Sequence, residues 1–242
     1  MIFCKFQQIK CSFFGNITKY EYFRGSKITT MKTNEIGLNN NKRTTYPMDW
    51  DTVISLESRL LREFKDNMCK RKGMELMMVS VGVRLGLRII DTLSLRWCDL
   101  VDLEIGEKFV RLEQKTQKNR ILVMSSKLKE VVDFVYTNLN PNKNHFIFTS
   151  QKGKGKEPIC IQTFNRKLKE LIKSKKVKCI GNVSSHLLRK SFVVGSIRKG
   201  FENGDYLSLV KVSRLINHNS VYTTIKYTNF ETNQMLDLYE LS

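Results

Sequence analysis

Apolar residues recur at Val53, Leu56, Leu60, Leu61 and Phe64, the three-and-four spacing of a helix with one buried face. Asp49 or Asp51, just after Pro47, suits the N-cap, and the stripe is expected to end near Lys72-Gly73. The next stretch, "MELMMVSVGVRLG" (74–86), is apolar almost all round and predicts a buried helix closed by Gly86. After Trp97 the period changes. "KFVRLEQ" (108–114) and "RILVMS" (120–125) are short β-rich runs around the polar "KTQKN" and predict a hairpin. "SKLKEVVDFVYTNL" (126–139) returns to a helical period and stops before Pro141, and "HFIFTS" (145–150) reads as a short third strand. A basic loop, "QKGKGKE" (151–157), leads to helices expected at about 160–175, 184–199, 205–216, 219–227 and 231–241. The fold class is mainly α with a small antiparallel β-sheet (α+β).

Residues 1–45 stand apart, because no period is sustained there and "NEIGLNNNKRTT" (34–45) is polar and asparagine-rich. They read as a poorly ordered N-terminal arm or linker, with 46–242 as the folded domain. Met31 is an alternative start. The first twenty residues are interrupted by Lys5, Gln7, Gln8 and Lys10 and lack the continuous apolar stretch of a secretory signal.

Apolar residues make up 41% of the 242-residue chain, enough for a core. Lys and Arg total 42 against 23 Asp and Glu, a net charge of +19 that favours a polyanionic partner. Nucleic acid fits that partner best, with a membrane surface or an acidic protein as the other possibilities. No run of about 18 apolar residues predicts a membrane span. The six cysteines form no C-x-x-C pair, and the three histidines lie far from them, so neither a metal nor a cofactor is expected. This cysteine usage suits a reducing, cytoplasmic setting.

The candidate chemistry rests on six polar residues: Arg88, Lys115, His186, Arg189, His218 and Tyr227. Leu87, Ile90, Leu93 and Trp97 form the expected core face around Arg88, and Asp91, one turn on, can orient its guanidinium. His186 and Arg189 share a helix face at i and i+3, behind a cap at Ser184 or Ser185. His218 precedes Tyr227 by nine residues, with Tyr222 as the nearby competitor. Arginines, a lysine and histidines neutralise a phosphodiester in displacement, and a tyrosine hydroxyl can attack it.

The segments "GLRIIDTLSLRWCDL" (86–100), "EQKTQKNRILV" (113–123), "HLLRKSF" (186–192) and "INHNSVYTTIKYTN" (216–229) resemble the active-site boxes of the tyrosine recombinase (phage integrase) family. The resemblance spans roughly residues 46–229. Gly86, Leu87, Arg88, Asp91, Leu93, Leu95, Arg96 and Trp97 match the first box; His186, Arg189, Lys190, Ser191 and Phe192 match the third. In the last, His218, Ser220, Thr223, Thr224 and Tyr227 match, while Asn217 stands where the family usually has glycine. The family places a lysine in a hairpin turn, a role that falls to Lys115 or, alternatively, Lys118.

What the resemblance implies is a site-specific DNA recombinase acting in integration, excision, inversion or resolution through a 3′-phosphotyrosine intermediate. It implies double-stranded DNA as partner, a homotetramer on paired sites, a possible helper DNA-bending protein, and no cofactor. A type IB topoisomerase-like nick-and-reseal enzyme and a catalytically degenerate DNA-binding remnant are the alternatives. Family members usually carry a helical core-binding domain in front of the catalytic one, and residues 1–45 are too few for it. The tail "ETNQMLDLYELS" (231–242) is expected to dock as a helix, on its own core or on a neighbouring protomer.

Overall fold

The computed structural model describes residues 44–150 and 152–228 and, for the backbone, 20–24 and 27–31. The chain divides into two compact units, Met1–Asn41 and Lys42–Ser242. In the first, β1 (Tyr20–Arg24) pairs antiparallel with β2 (Lys27–Met31), with Tyr20 opposite Met31. The sequence reading, a poorly ordered N-terminal arm or linker over 1–45, named no strand there. Aromatic and β-branched residues flank the two-residue link Gly25-Ser26, a hairpin signal that the asparagine-rich neighbourhood obscured. Thr45 already belongs with the second unit, where it bridges to Gly181.

The second unit is mostly helical with one two-stranded antiparallel sheet, the class expected. Helix α1 (Trp50–Asp66) starts at Asp49, whose carboxylate accepts from the Asp51 and Thr52 backbone N–H groups at 2.9 and 3.1 Å. Val53, Leu56, Leu60 and Phe64 are its buried stripe. The helix ends at Asp66, not near Gly73. Gly73 lies inside α2 (Lys70–Leu85), where its missing side chain lets Phe64, Val135 and Leu139 close in.

Helix α2 is the central element and packs on α1, on α5 (Ser126–Leu139), on α6 (Ile161–Ser174) and on α7 (Ser185–Glu202). That explains a helix apolar on every face: Leu76 through Val83 are buried without interruption. Gly86 closes it in the left-handed conformation (φ 54°), a position that favours glycine.

Two short helices, α3 (Ile89–Leu93) and α4 (Cys98–Val101), lead into β3 (Lys108–Leu112) and β4 (Asn119–Val123). Leu87, Leu93 and Trp97 are buried as expected, but Ile90 is exposed, because α3 is too short to turn all four residues inward. The strands pair with Val110 opposite Ile121 and Arg111 opposite Arg120. The third strand expected at 145–150 does not form a ladder. Its backbone is shared between two partners, Phe146 bridging to Arg96 and Thr149 to Pro158.

Past α7 the chain turns into α8 (Ser208–Leu215) and α9 (Val221–Thr228). These attach through a second apolar cluster of Val193, Ile197, Val212 and Ile216, against which Phe192, Leu209 and Tyr227 pack. The expected helix at 231–241 lies outside the described residues. Among the described residues, no helix is long and apolar enough to cross a membrane.

Candidate active site

The site forms where the C-terminus of α2 meets the N-terminus of α7, the β3–β4 turn and α9. The Gly86 carbonyl is its hub. It accepts from Arg189 Nη1 at 2.8 Å and from Arg120 Nη1 at 2.9 Å, and Arg120 Nη2 also donates to the Leu85 carbonyl at 2.7 Å. A helix C-terminus offers unsatisfied carbonyls and a partial negative charge, so two guanidinium groups are favourably placed there. Arg189 Nη2 donates to the Ile216 carbonyl at 3.0 Å, which ties α7 to the turn before His218.

Helix α7 presents His186 and Arg189 from its first turns. Its start is capped differently from expectation: the Asn165 side chain on α6 accepts from the Ser185 N–H at 2.8 Å, while Ser184 makes no cap. Ser184 instead meets the Thr45 hydroxyl at 3.2 Å, which diverts its oxygen from the helix. His186 Nδ1 lies 3.4 Å from the Tyr227 hydroxyl. The His218 ring stands edge-on to the Tyr227 ring at 5.3 Å, and Lys190 Nζ lies 5.1 Å from the centre of that ring. His218 Nδ1 meets Thr224 Oγ1 at 2.9 Å, which fixes the imidazole against α9. Tyr222, the competitor, points away; it is exposed, with Lys226 over its ring at 4.4 Å.

Arg88 sits just before α3, half-buried, and forms an ion pair with Glu113. The expected partner, Asp91, is elsewhere engaged: it is buried and accepts from the Gln114 N–H at 2.9 Å. One helical turn aims its carboxylate at the β3–β4 turn rather than back at the guanidinium. Asn217, in the left-handed conformation at φ 56°, also donates to Glu113, at 3.1 Å. Lys115 and Lys118 are both exposed in the β3–β4 turn. The charge of Lys115 reaches His186, whereas Lys118 Nζ lies 3.5 Å from the Asn219 side chain.

The electrostatics follow from burying several cations together. Burial lowers the His218 pKa to about 4, helped by Arg189 and Arg88. Burial also lowers His186, with Arg189, Lys190 and Lys115 adding to it. Both imidazoles are therefore neutral at neutral pH. Burial raises the Tyr227 hydroxyl, and Arg189 and Arg88 pull it back. Arg120, almost fully enclosed, is pushed down to about 9 by burial and by Arg189. A neutral base beside a tyrosine, surrounded by arginines, is an arrangement that can deprotonate the hydroxyl and hold an anion.

Comparison with known proteins supplies the relationship: the model of the phage integrase family matches residues 56–234. The chain belongs to the phage integrase family. Among relatives in that family, the TnP I resolvase of Bacillus thuringiensis is 29% identical over 161 residues, 64% of this chain and 50% of the relative. A tyrosine recombinase XerC of Rickettsia canadensis is 30% identical over 158 residues, 64% of this chain and 46% of that protein. The chain spans about half the length of the curated relatives it matches. The solved structure of XerA recombinase shares the fold, with TM-score 0.57 and 20% identity over 82% of this chain and 65% of that one. So does XerH bound to a palindromic difH substrate, with TM-score 0.59 and 20% identity over 84% of this chain and 55% of that one.

Sequence reasoning missed Glu113 and Arg120, which this candidate site brings together with Arg88 and Arg189. Period two along the hairpin was the available signal: Phe109, Arg111 and Glu113 fall on one face of β3 and its extension, and Arg120 and Leu122 on the matching face of β4. Lys190 was read only as part of a motif, and its place beneath the Tyr227 ring has no mark in the sequence.

Proposed function

We propose that this protein is a site-specific recombinase that breaks and rejoins double-stranded DNA through a 3′-phosphotyrosine on Tyr227. The observation that carries the reading is the Tyr227 hydroxyl, 3.4 Å from a neutral His186 and within the field of Arg189 and Arg88. The relatives' names, a resolvase and a tyrosine recombinase, support it. So does the net charge of +19, which suits the phosphate backbone.

Tyr227 Oη attacks the scissile phosphorus and gives its proton to His186 Nδ1, in the tautomer that leaves that nitrogen free. The P–O5′ bond breaks, and the departing 5′ oxygen takes a proton from Lys115. Arg88 and Arg189 hold the two non-bridging oxygens, and removing one such donor typically costs about 10²–10³ in rate. His218 donates a further hydrogen bond. Attack of an incoming 5′-hydroxyl on the phosphotyrosine reverses the steps on a new strand. The covalent bond conserves the phosphodiester energy, so ATP is not consumed. Residues 46–242 form the catalytic unit of this proposal, and recombination takes place in a homotetramer on paired sites, with a DNA-bending helper where the site requires one.

Tyr227→Phe tests the reading. The wild type should form detergent-resistant covalent complexes with a plasmid carrying the DNA that flanks its own gene. The phenylalanine variant should form none while still binding DNA. An adduct that survives the substitution points to another nucleophile, Tyr222 first. A wild type that binds but never forms an adduct is a DNA-binding remnant.

A further inference from the structure

Glu113 has no part in the chemistry above, yet it is the most connected anion of the site. It is fully buried immediately after β3. Oε2 accepts from Thr116 Oγ1 at 2.8 Å and from Asn217 Nδ2 at 3.1 Å and pairs with Arg88, while Oε1 lies 3.7 Å from Arg120 Nη1. Its partners come from separate segments: the start of α3, the turn that carries Lys115, strand β4, and the turn that precedes His218. An ion pair in such a place is an expensive way to fill a core, since burying each ion costs several kcal/mol of hydration. Apolar side chains in place of all the ions together are often as stable or more so. What they cannot do is hold a guanidinium at a fixed angle beside two other guanidinium groups that repel it.

We propose that Glu113 is a positioning residue for phosphodiester cleavage. It holds Arg88 on its half-buried side so that the remaining N–H groups face the phosphate, and it keeps the Lys115 and His218 turns in register with that guanidinium. The proposal rests on the strand-exchange reading. The contacts divide its roles. Thr116 is next to Lys115 and Asn217 is next to His218, so one carboxylate reaches one residue away from both the leaving-group acid and a phosphate ligand. Without it, Arg88 loses its anchor and is pushed away by Arg189 and Arg120. A displacement of about 1 Å at such a group can cost about 100-fold in rate.

The test uses the full chain and a supercoiled plasmid carrying the DNA that flanks its own gene. Covalent complexes are trapped with detergent, and the rate at saturating protein is separated from the half-saturating concentration; thermal melts report folding. Glu113→Asp keeps the charge but falls one methylene short of its partners. Glu113→Gln keeps the shape but loses the charge. Both should lower the saturating rate by about 100-fold and leave the half-saturating concentration nearly unchanged. A wild-type rate in either folded variant overturns the proposal, as does a loss confined to DNA affinity. If both variants unfold, Asn217→Gly decides, because glycine suits the φ of 56° and removes one bond to Glu113 without stranding a charge. A slower saturating rate in Asn217→Gly supports the positioning role, and a wild-type rate refutes it. A wild-type protein that forms no adduct instead sinks the strand-exchange reading, and with it the reaction for which Glu113 is placed.

Discussion

Arg189→Ala separates the structural from the chemical part of this site. Arg189 is only 4% exposed, and two of its donors satisfy the carbonyls of Gly86 and Ile216. Removing the side chain strands the Ile216 oxygen, at a cost of about 1–3 kcal/mol, while the Gly86 oxygen keeps its bond from Arg120 and loses only the second, worth about 0.5–1.5 kcal/mol. The sum is about 1.5–4.5 kcal/mol, a sizeable share of the roughly 5–15 kcal/mol typical of a domain. Relief of the repulsion that Arg189 exerts on Arg120 and Arg88 offsets part of this, so the lower half of the range is expected. For a unit of about 200 residues, a loss of about 1.5–3 kcal/mol corresponds to roughly 3–12 °C in Tm. Circular-dichroism melts and urea titrations measure it, in phosphate-free buffer because phosphate is the group the proposed site would hold. Tyr227→Phe is the control: its hydroxyl meets His186 at 3.4 Å and interacts with Arg189, and losing it strands no backbone carbonyl, so the variant should melt within about 1.5 kcal/mol of wild type. An Arg189→Ala protein as stable as that control would show that the two carbonyl bonds contribute nothing to the fold, and the guanidinium would then be purely a phosphate ligand.

Gly86→Ala should cost about 1–3 kcal/mol or more from overpacking alone, because a Cβ there would meet the Phe192 ring at 2.2 Å with φ at 54°; a melt like wild type would refute it. DNA affinity should fall linearly on a log–log plot against salt, with a slope of about −0.9 per phosphate contact, and a flat response by fluorescence anisotropy would assign the positive charge to another purpose. Stability should fall as pH drops from 7 towards 4. His218 titrates from a reference pKa of 6.5 in the unfolded chain but at about 4 in the folded one, so the unfolded chain binds the proton first. Glu113, with its carboxyl held below the usual range against burial by Asn217, Thr116 and Arg88, adds to the loss at the acid end. His218→Gln should flatten the urea midpoint between pH 6.5 and 4, and an unchanged slope would assign the effect to other groups.

Much of this protein was legible in the chain itself. The spacing of Val53, Leu56, Leu60 and Phe64 specified α1 and its buried face, since a period of 3.6 residues leaves one side in water. Asp49 and Gly86 marked helix ends because their backbone and side-chain chemistry act locally. The motifs around Arg88, His186, Arg189, His218 and Tyr227 identified the family from residue order, which needs no knowledge of distance.

Other features existed only once the chain had folded. The hairpin face turned to the protein carries Arg111, Glu113 and Arg120 beside Phe109 and Leu122, while Val110, Leu112, Ile121 and Val123 lie exposed. Hydrophobicity by itself would turn it the other way. What reversed it is the C-terminus of α2, whose carbonyls draw Arg120 inward, together with Arg88, which Glu113 must reach. The segment at 145–150 is extended by local preference, yet a ladder needs one continuous partner, and it has two. The sequence pointed to Asp91, one turn on, as the anchor for Arg88. Three-dimensional packing chose Glu113, because a side chain's partner is fixed by the direction in which its backbone aims it and by the charges that other segments bring alongside.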